Sequence, residues 1–219
     1  MKCNCKSKEI IISILIIAGG LLGLIGWYFD LHSILSIISG RHEIRFTSAF
    51  SFIMVGLILI SVYETIHADR KNTDFALIVL PAASLAIILF MTFFVAEKIF
   101  GIPVDVEHVF IGESGGLTGM SAVTAFNFLL IALIGVAAMF KIRWIRIAIF
   151  ISGILVSLSG LLAILGYILN IKMLYFDILG ISGPMSLMSA IMFLITGIGF
   201  SLIGICFDFS NIGAIFSFC

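Results

Sequence analysis

Long unbroken apolar runs alternate along this chain with short polar interruptions. The runs occupy Ile10–Phe29, Phe46–Tyr63, Phe75–Ala96, Met120–Phe140, Ile145–Leu169 and Met185–Phe207. Crossing ~30 Å of hydrocarbon at ~1.5 Å per residue takes ~20 apolar residues, and each of the six runs is of that order, the second being the shortest. Isoleucine and phenylalanine are abundant, which in water would favour strands. Here the runs are continuous rather than alternating, the pattern of membrane helices and not of barrel strands. The predicted fold is all-α and polytopic, with six transmembrane helices.

Composition agrees with that pattern. Hydrophobic residues make up 62% of the 219 and charged residues 11%, with a mean hydropathy of +1.29, too little polar surface for a water-soluble globule of this size. The lipid bilayer is therefore the first expected partner. Twelve Lys plus Arg balance twelve Asp plus Glu, and no basic cluster suits a phosphate backbone, so nucleic acid is not an expected partner. Collagen, disordered linkers and disulfide-rich secreted scaffolds are excluded as well.

Lys2, Lys6 and Lys8 resemble the start of a signal peptide. The run that follows is too long, however, and ends in Gly26-Trp27-Tyr28-Phe29-Asp30 without a small-residue cleavage site. Trp27 and Tyr28 read as an interfacial anchor. Residues 1–9 are then a basic cytoplasmic leader, 10–207 the membrane domain and 208–219 a short tail. With the N-terminus inside, eight basic residues fall on inner segments (Lys2, Lys6, Lys8, Arg70, Lys71, Lys141, Arg143, Arg146) and four on outer ones (Arg41, Arg45, Lys98, Lys172). The positive-inside bias accordingly places both termini in the cytoplasm of a cell-membrane, multi-pass protein.

The even-numbered runs open alike. Arg45-Phe46-Thr47-Ser48-Ala49-Phe50-Ser51-Phe52 aligns with Ser121-Ala122-Val123-Thr124-Ala125-Phe126-Asn127-Phe128 and with Ser186-Leu187-Met188-Ser189-Ala190-Ile191-Met192-Phe193. Each copy carries a small hydroxyl residue, Ala, two variable positions and Phe, with Ile44, Met120 and Met185 at one upstream offset. The odd-numbered runs close alike too, on Gly26-Trp27-Tyr28, Glu97-Lys98-Ile99-Phe100-Gly101 and Gly166-Tyr167-Ile168-Leu169-Asn170. The aligned alanines are 76 and 65 residues apart, the longer spacing absorbed by a loop around Gly112-Glu113-Ser114-Gly115-Gly116. The expectation is three repeated helical hairpins, about 10–63, 75–140 and 145–207, all in one orientation.

The segment Leu117-Thr118-Gly119-Met120-Ser121-Ala122-Val123-Thr124-Ala125-Phe126-Asn127-Phe128-Leu129-Leu130, with Ser182-Gly183-Pro184-Met185-Ser186 and the Gly26-Trp27 ending, resembles the N-terminal six-helix membrane region of certain prokaryotic sensor proteins. In that group the membrane part precedes PAS, histidine-kinase or diguanylate-cyclase domains. The resemblance spans nearly the whole chain and implies a signal-input module. No H-box, nucleotide-binding Gly-rich loop or GGDEF-like run follows Phe207-Asp208, so the resemblance implies an orphan input module, a truncated gene product, or a subunit whose output lies in another polypeptide, the expected partners being a cytoplasmic signalling protein or a second copy in a homo-oligomer.

The ordinary role of Ser48-Ala49, Thr124-Ala125 and Ser189-Ala190 is helix packing, since small residues admit close backbone approach. The sharper reading takes the three outward helix N-termini, with their unpaired N–H groups, as converging on an anionic or carbonyl-bearing, small or lipid-like ligand near the outer leaflet. The candidate ligand-binding residues are Asn127, Thr124, Ser48, Ser189, Trp27, Glu97 and Tyr167. Asn127, nearly two turns into its helix, requires a partner in hydrocarbon, most often a neighbouring backbone or hydroxyl group.

No cofactor is expected. His32, His42, His67 and His108 are scattered over loops, and Cys3 and Cys5 lack the further ligands of a metal site. No nucleophile, acid and base arrangement supports an enzyme. A small transporter or lipid-handling protein is the alternative; an ion-coupled carrier is disfavoured because no ionisable residue falls near the middle of a run, Glu64 and Glu97 lying at edges.

Overall fold

In hydrocarbon every backbone N–H and C=O must find its partner within the segment, so each apolar run has to close as a helix. A computed structural model describes residues 2–29, 44–67, 73–100, 120–140, 144–176 and 183–205. Every regular element among them is helical: α1 (Lys2–Tyr28), α2 (Phe46–His67), α3 (Thr73–Phe100), α4 (Ala122–Met139), α5 (Ile145–Leu169), a short 3-10 turn (Lys172–Tyr175) and α6 (Leu187–Ile205). Each of the six α-helices is long and apolar enough to span a bilayer. The protein is an all-α polytopic membrane protein.

The spans match the apolar runs closely, and the differences have local causes. Helix α1 runs back through the residues read as a leader, to Lys2. Helices α4 and α6 start two residues later than their runs, because Met120-Ser121 and Met185-Ser186 lie ahead of the first helical turn. The tail at 208–219, the loop at 112–116, His32, His42, His108, Cys206 and Cys219 lie outside the described residues, as do the side chains of Cys3 and Cys5.

The helices form an inner and an outer set. About half or more of each of α2, α4 and α6 is buried, against about a third of α1, α3 and α5. Helix α2 is central, packing on α1, α3, α4 and α6; α1 also meets α6, and α4 meets α5. The outer helices bury one stripe, Glu9, Ser13, Ile16, Gly20 and Gly23 on α1, and leave leucine and isoleucine on the other face for lipid. On the inner helices the buried registers coincide. Every residue buried on α4, from Thr124 to Ala138, has a buried counterpart 76 positions earlier on α2 and 65 positions later on α6.

Two seams are built on glycine. A Cβ at Gly20 would stand 2.7 Å from the Ala49 carbonyl oxygen and 3.0 Å from the Ile53 nitrogen, and one at Gly160 would stand 2.6 Å from the Ala190 oxygen and 2.7 Å from the Leu194 nitrogen. One level further along, Gly56 lies on the Ser13 carbonyl and Gly197 on the Gly153 carbonyl. The α1–α2 and α5–α6 pairs thus approach backbone to backbone at corresponding positions. The α3–α4 pair is built differently, with Gly135 against the Ser84 hydroxyl.

Replacing Gly160 by Val drives a side chain into backbone rather than into a movable group, and an overpacked seam of this kind costs ~1–3 kcal/mol. Gly160→Val is expected to lower the thermal midpoint in detergent clearly. Gly19→Ala, whose new methyl would meet only the flexible end of Met192, is expected to change it little; equal losses from both would refute the backbone-contact account.

Candidate functional site

The aligned helix openings lie at one end of the bundle, where the chain leaves α1, α3 and α5. Their first helical hydrogen bonds are equivalent: Ala49 N–H donates to Arg45 O, Ala125 N–H to Ser121 O and Ala190 N–H to Ser186 O, at 2.9, 3.0 and 3.0 Å. One turn further in, Phe52, Phe128 and Phe193 meet. Their ring centroids are 5.0 Å apart for Phe52 with Phe128, 5.0 Å for Phe52 with Phe193 and 4.9 Å for Phe128 with Phe193, tilted by 57–65°. All three are fully buried. This mutual tilt presents ring edges to ring faces, the arrangement that the aromatic quadrupole favours.

The hydroxyls above this cluster are buried and turned inward. Ser48 Oγ donates to the Met120 sulfur at 3.3 Å, tying the start of α2 to the residues ahead of α4. Ser186 caps α6, accepting from the Ser189 N–H at 3.2 Å and donating to Ser189 Oγ at 2.9 Å. Thr124 is buried at the corresponding place on α4. The preceding Ser121, at the N-cap of α4, is buried with its hydroxyl unpartnered.

Two aromatic side chains at the ends of outer helices fasten the inner helix starts. Trp27 Nε1–H donates to the Ile44 carbonyl at 2.7 Å, and the Tyr167 hydroxyl donates to the Met185 carbonyl at 2.5 Å. Ile44 and Met185 occupy the same offset ahead of their helices, so α1 grips α2 as α5 grips α6. Around Tyr167 the chain doubles back. Asn170 ends α5 in the left-handed conformation, with φ of 57°, and the 3-10 turn folds over Gly166, where a Cβ would lie 2.7 Å from Leu174 Cβ and 2.9 Å from the Tyr175 nitrogen. Tyr175 then stacks on Tyr167 with centroids 4.6 Å apart, and Met185 N–H donates to Tyr175 O.

Asn127 has a partner on another helix. Its Nδ2 donates to Ser159 Oγ at 2.7 Å, and Ser159 donates in turn to the Val156 carbonyl at 2.8 Å. This chain joins α4 to α5. Of the sequence-derived candidates, Ser48, Thr124, Ser189 and Asn127 therefore share the helix-start layer, Trp27 and Tyr167 fasten it from outside, and the side chain of Glu97 lies outside the described residues. Ser159 was missed because its link to Asn127 crosses 32 residues and two helices; no sequence spacing marks it.

Glu9 was missed for another reason. It falls near the start of the span Ser7–Tyr28, away from its middle, and is only 1% exposed. Lys8 beside it made it look like part of a solvated leader. Its spacing from Ser13, Ile16, Gly20 and Gly23 is the signal that places it on the buried stripe.

Among the described residues no three His, Cys, Asp or Glu side chains stand together as a metal site. Comparison with known proteins finds no matching family model, no similar curated protein and no similar solved structure.

Deleting the ring at Phe52, Phe128 or Phe193 by substitution with Ala is expected to cost ~3 kcal/mol, the low end for a buried Phe because lipid rather than water solvates the separated helices. The three losses should be similar and strongly non-additive in pairs. For the polar tie, a double-mutant cycle on Asn127→Leu and Ser159→Ala is expected to give a coupling of about 0.6 kcal/mol, usual for such bonds in membranes; strict additivity would show that the bond contributes nothing.

Proposed function

We propose that this protein is an integral-membrane signal-input module made of three like-oriented helical hairpins, in which a small or lipid-like ligand near the outer leaflet acts through the packing of the hairpins. The observation that carries the reading is the meeting of Phe52, Phe128 and Phe193 beneath three equivalent helix starts. Three helices that begin on one motif and share one aromatic centre respond together to a change at any of the starts. The resemblance of the Leu117–Leu130 and Ser182–Ser186 segments and the Gly26-Trp27 ending to six-helix prokaryotic sensor regions supports the same assignment.

The chemistry available at the helix starts also bears on mechanism. Ser48, Ser189 and Asn127 are engaged with Met120, Ser186 and Ser159. A ligand at this end gains by exchanging or displacing such bonds, and each exchange shifts one inner helix against its neighbour; ligands move an equilibrium only through such differential contacts. The change then passes along α6 to a cytoplasmic partner or to a second copy of the chain. Both termini are on the cytoplasmic side of the cell membrane in this reading, as the distribution of basic residues requires.

A second reading, a small transporter, is favoured by one observation: the buried carboxylate of Glu9, since intramembrane ionisable groups mark ion pathways.

Spin labels at Ser7→Cys and Ile205→Cys, with the native cysteines replaced, separate the readings in nanodiscs. An input module is expected to change the distance between these helix ends when phosphatidylcholine is replaced by phosphatidylglycerol and cardiolipin, and Asn127→Leu should blunt the change. Identical distances in every lipid, together with dissipation of a proton gradient by proteoliposomes, would favour the transporter and discard the input module.

A further inference from the structure

The end of the bundle opposite the aligned helix starts holds an arrangement that the packing does not explain. Helix α1 runs antiparallel to α2, with Gly20 against Ala49 and Ser13 against Gly56, so Glu9 lies beyond Ser13 at the far end. Its carboxylate is buried, and neither Oε1 nor Oε2 has a hydrogen-bond partner. Ser13, one turn along the same face, is also fully buried with its hydroxyl unpartnered. Residues four apart on a helix are neighbours, with Cβ atoms ~5–6 Å apart. The face they share is the one that packs against α2 and α6.

A carboxylate buried without donors is among the costliest groups a protein interior can hold, and it persists when something positive completes it. On α1, α2 and α6 the described side chains offer no such group. Lys8 is exposed on its own side of α1, the inner end of α2 carries Tyr63 and Glu64, both half-buried, and α6 has no titratable residue between Leu187 and Ile205. A metal cation is poorly served as well. Hard cations take six or more oxygens, or retain waters, whereas this face of α1 supplies three unpartnered side-chain oxygens, the packed helices add only the hydroxyls of Ser61 and Thr196, and carbonyls within the helix are committed to its own ladder. A proton needs much less: an un-ionised carboxyl has one O–H to donate, and a serine hydroxyl can both accept it and donate back.

We propose that Glu9 is a proton-binding site of the membrane domain, with Ser13 as its hydrogen-bond partner. With the proton bound, the pair is neutral, internally satisfied and compatible with the apolar seam between α1, α2 and α6. When the proton leaves, a negative charge without donors remains on the buried stripe, and this end of α1 separates from its neighbours to admit water. The site is independent of the input-module reading, because it lies at the other end of the bundle and uses none of the aligned residues.

The experiment compares wild type, Glu9→Gln and Ser13→Ala in phosphatidylcholine nanodiscs. The infrared difference between acidic and alkaline buffer is expected to contain a carboxyl C=O band that Glu9→Gln removes and Ser13→Ala moves to higher frequency, as a lost hydrogen bond requires. The thermal midpoint of the wild type should fall on alkalinisation, while that of Glu9→Gln, which keeps the shape and cannot ionise, stays level and equals or exceeds the wild type in alkaline buffer. A difference spectrum unchanged by Glu9→Gln, or a Glu9→Gln midpoint that follows pH as the wild type does, overturns the proposal. So does a midpoint that responds to sodium, potassium or lithium at fixed pH and not to protons, since the ligand is then a metal ion.

Discussion

In a bilayer, apolar side chains gain little by leaving lipid for one another, so helices associate only where their surfaces fit more closely than lipid tails can. That constraint governs this protein. The closest fits are those of Gly20, Gly56, Gly160 and Gly197, each of which lies against the backbone of a neighbouring helix, and the three interlocked phenylalanine rings at the centre. Both devices work through dispersion and shape, and neither tolerates a small change of volume. An aromatic pair adds ~0.5–1.5 kcal/mol beyond its buried area, and three mutual pairs bind three helices at once where separate pairs would bind only two.

From this follows the division of labour between the two helix sets. The inner helices carry phenylalanine, small residues and hydroxyls in one register, while α1 and α5 contribute a glycine-bearing stripe inside, α3 a stripe that includes Ala76, Ala83 and Ser84, and all three present bulk outside. Trp27 and Tyr167 then convert contact into fixed position. A tryptophan N–H and a tyrosine O–H, each at the end of an outer helix, hold the carbonyl just ahead of an inner one. The helix-start layer is thus held by directional bonds as well as by packing. Within it Ser48, Ser186, Ser189 and Asn127 have protein partners, whereas the buried Ser121 hydroxyl has none.

The six spans were legible because hydrocarbon imposes length and continuity, and both are visible as unbroken runs. So were the helix-start motif and its phenylalanine, since one face must be satisfied by short-range spacing alone. What could not be read was the partner of each polar residue. The bond from Asn127 to Ser159 depends on how α4 crosses α5, and the grip of Tyr167 on Met185 depends on the turn that folds over Gly166. Glu9 drew no reading of its own, because it falls in the segment read as a basic cytoplasmic leader, although its spacing from Ser13, Gly20 and Gly23 sets it on the buried stripe. Charge composition is a local average, whereas burial on a helix follows period 3.6.

The two ends of the molecule differ in a way that decides where it can move. At the helix-start end, the Trp27 and Tyr167 bonds, the Ser186 cap and the Tyr167–Tyr175 stack fix α1 to α2 and α5 to α6. At the other end of α1 the corresponding position holds a carboxylate that no donor satisfies. In the proton-free state proposed above, α1 is fastened at one end and unsatisfied at the other, so any excursion grows with distance from the fastened end. The contact of Gly20 with Ala49 lies nearer the fastened end of α1, and that of Ser13 with Gly56 nearer the Glu9 end.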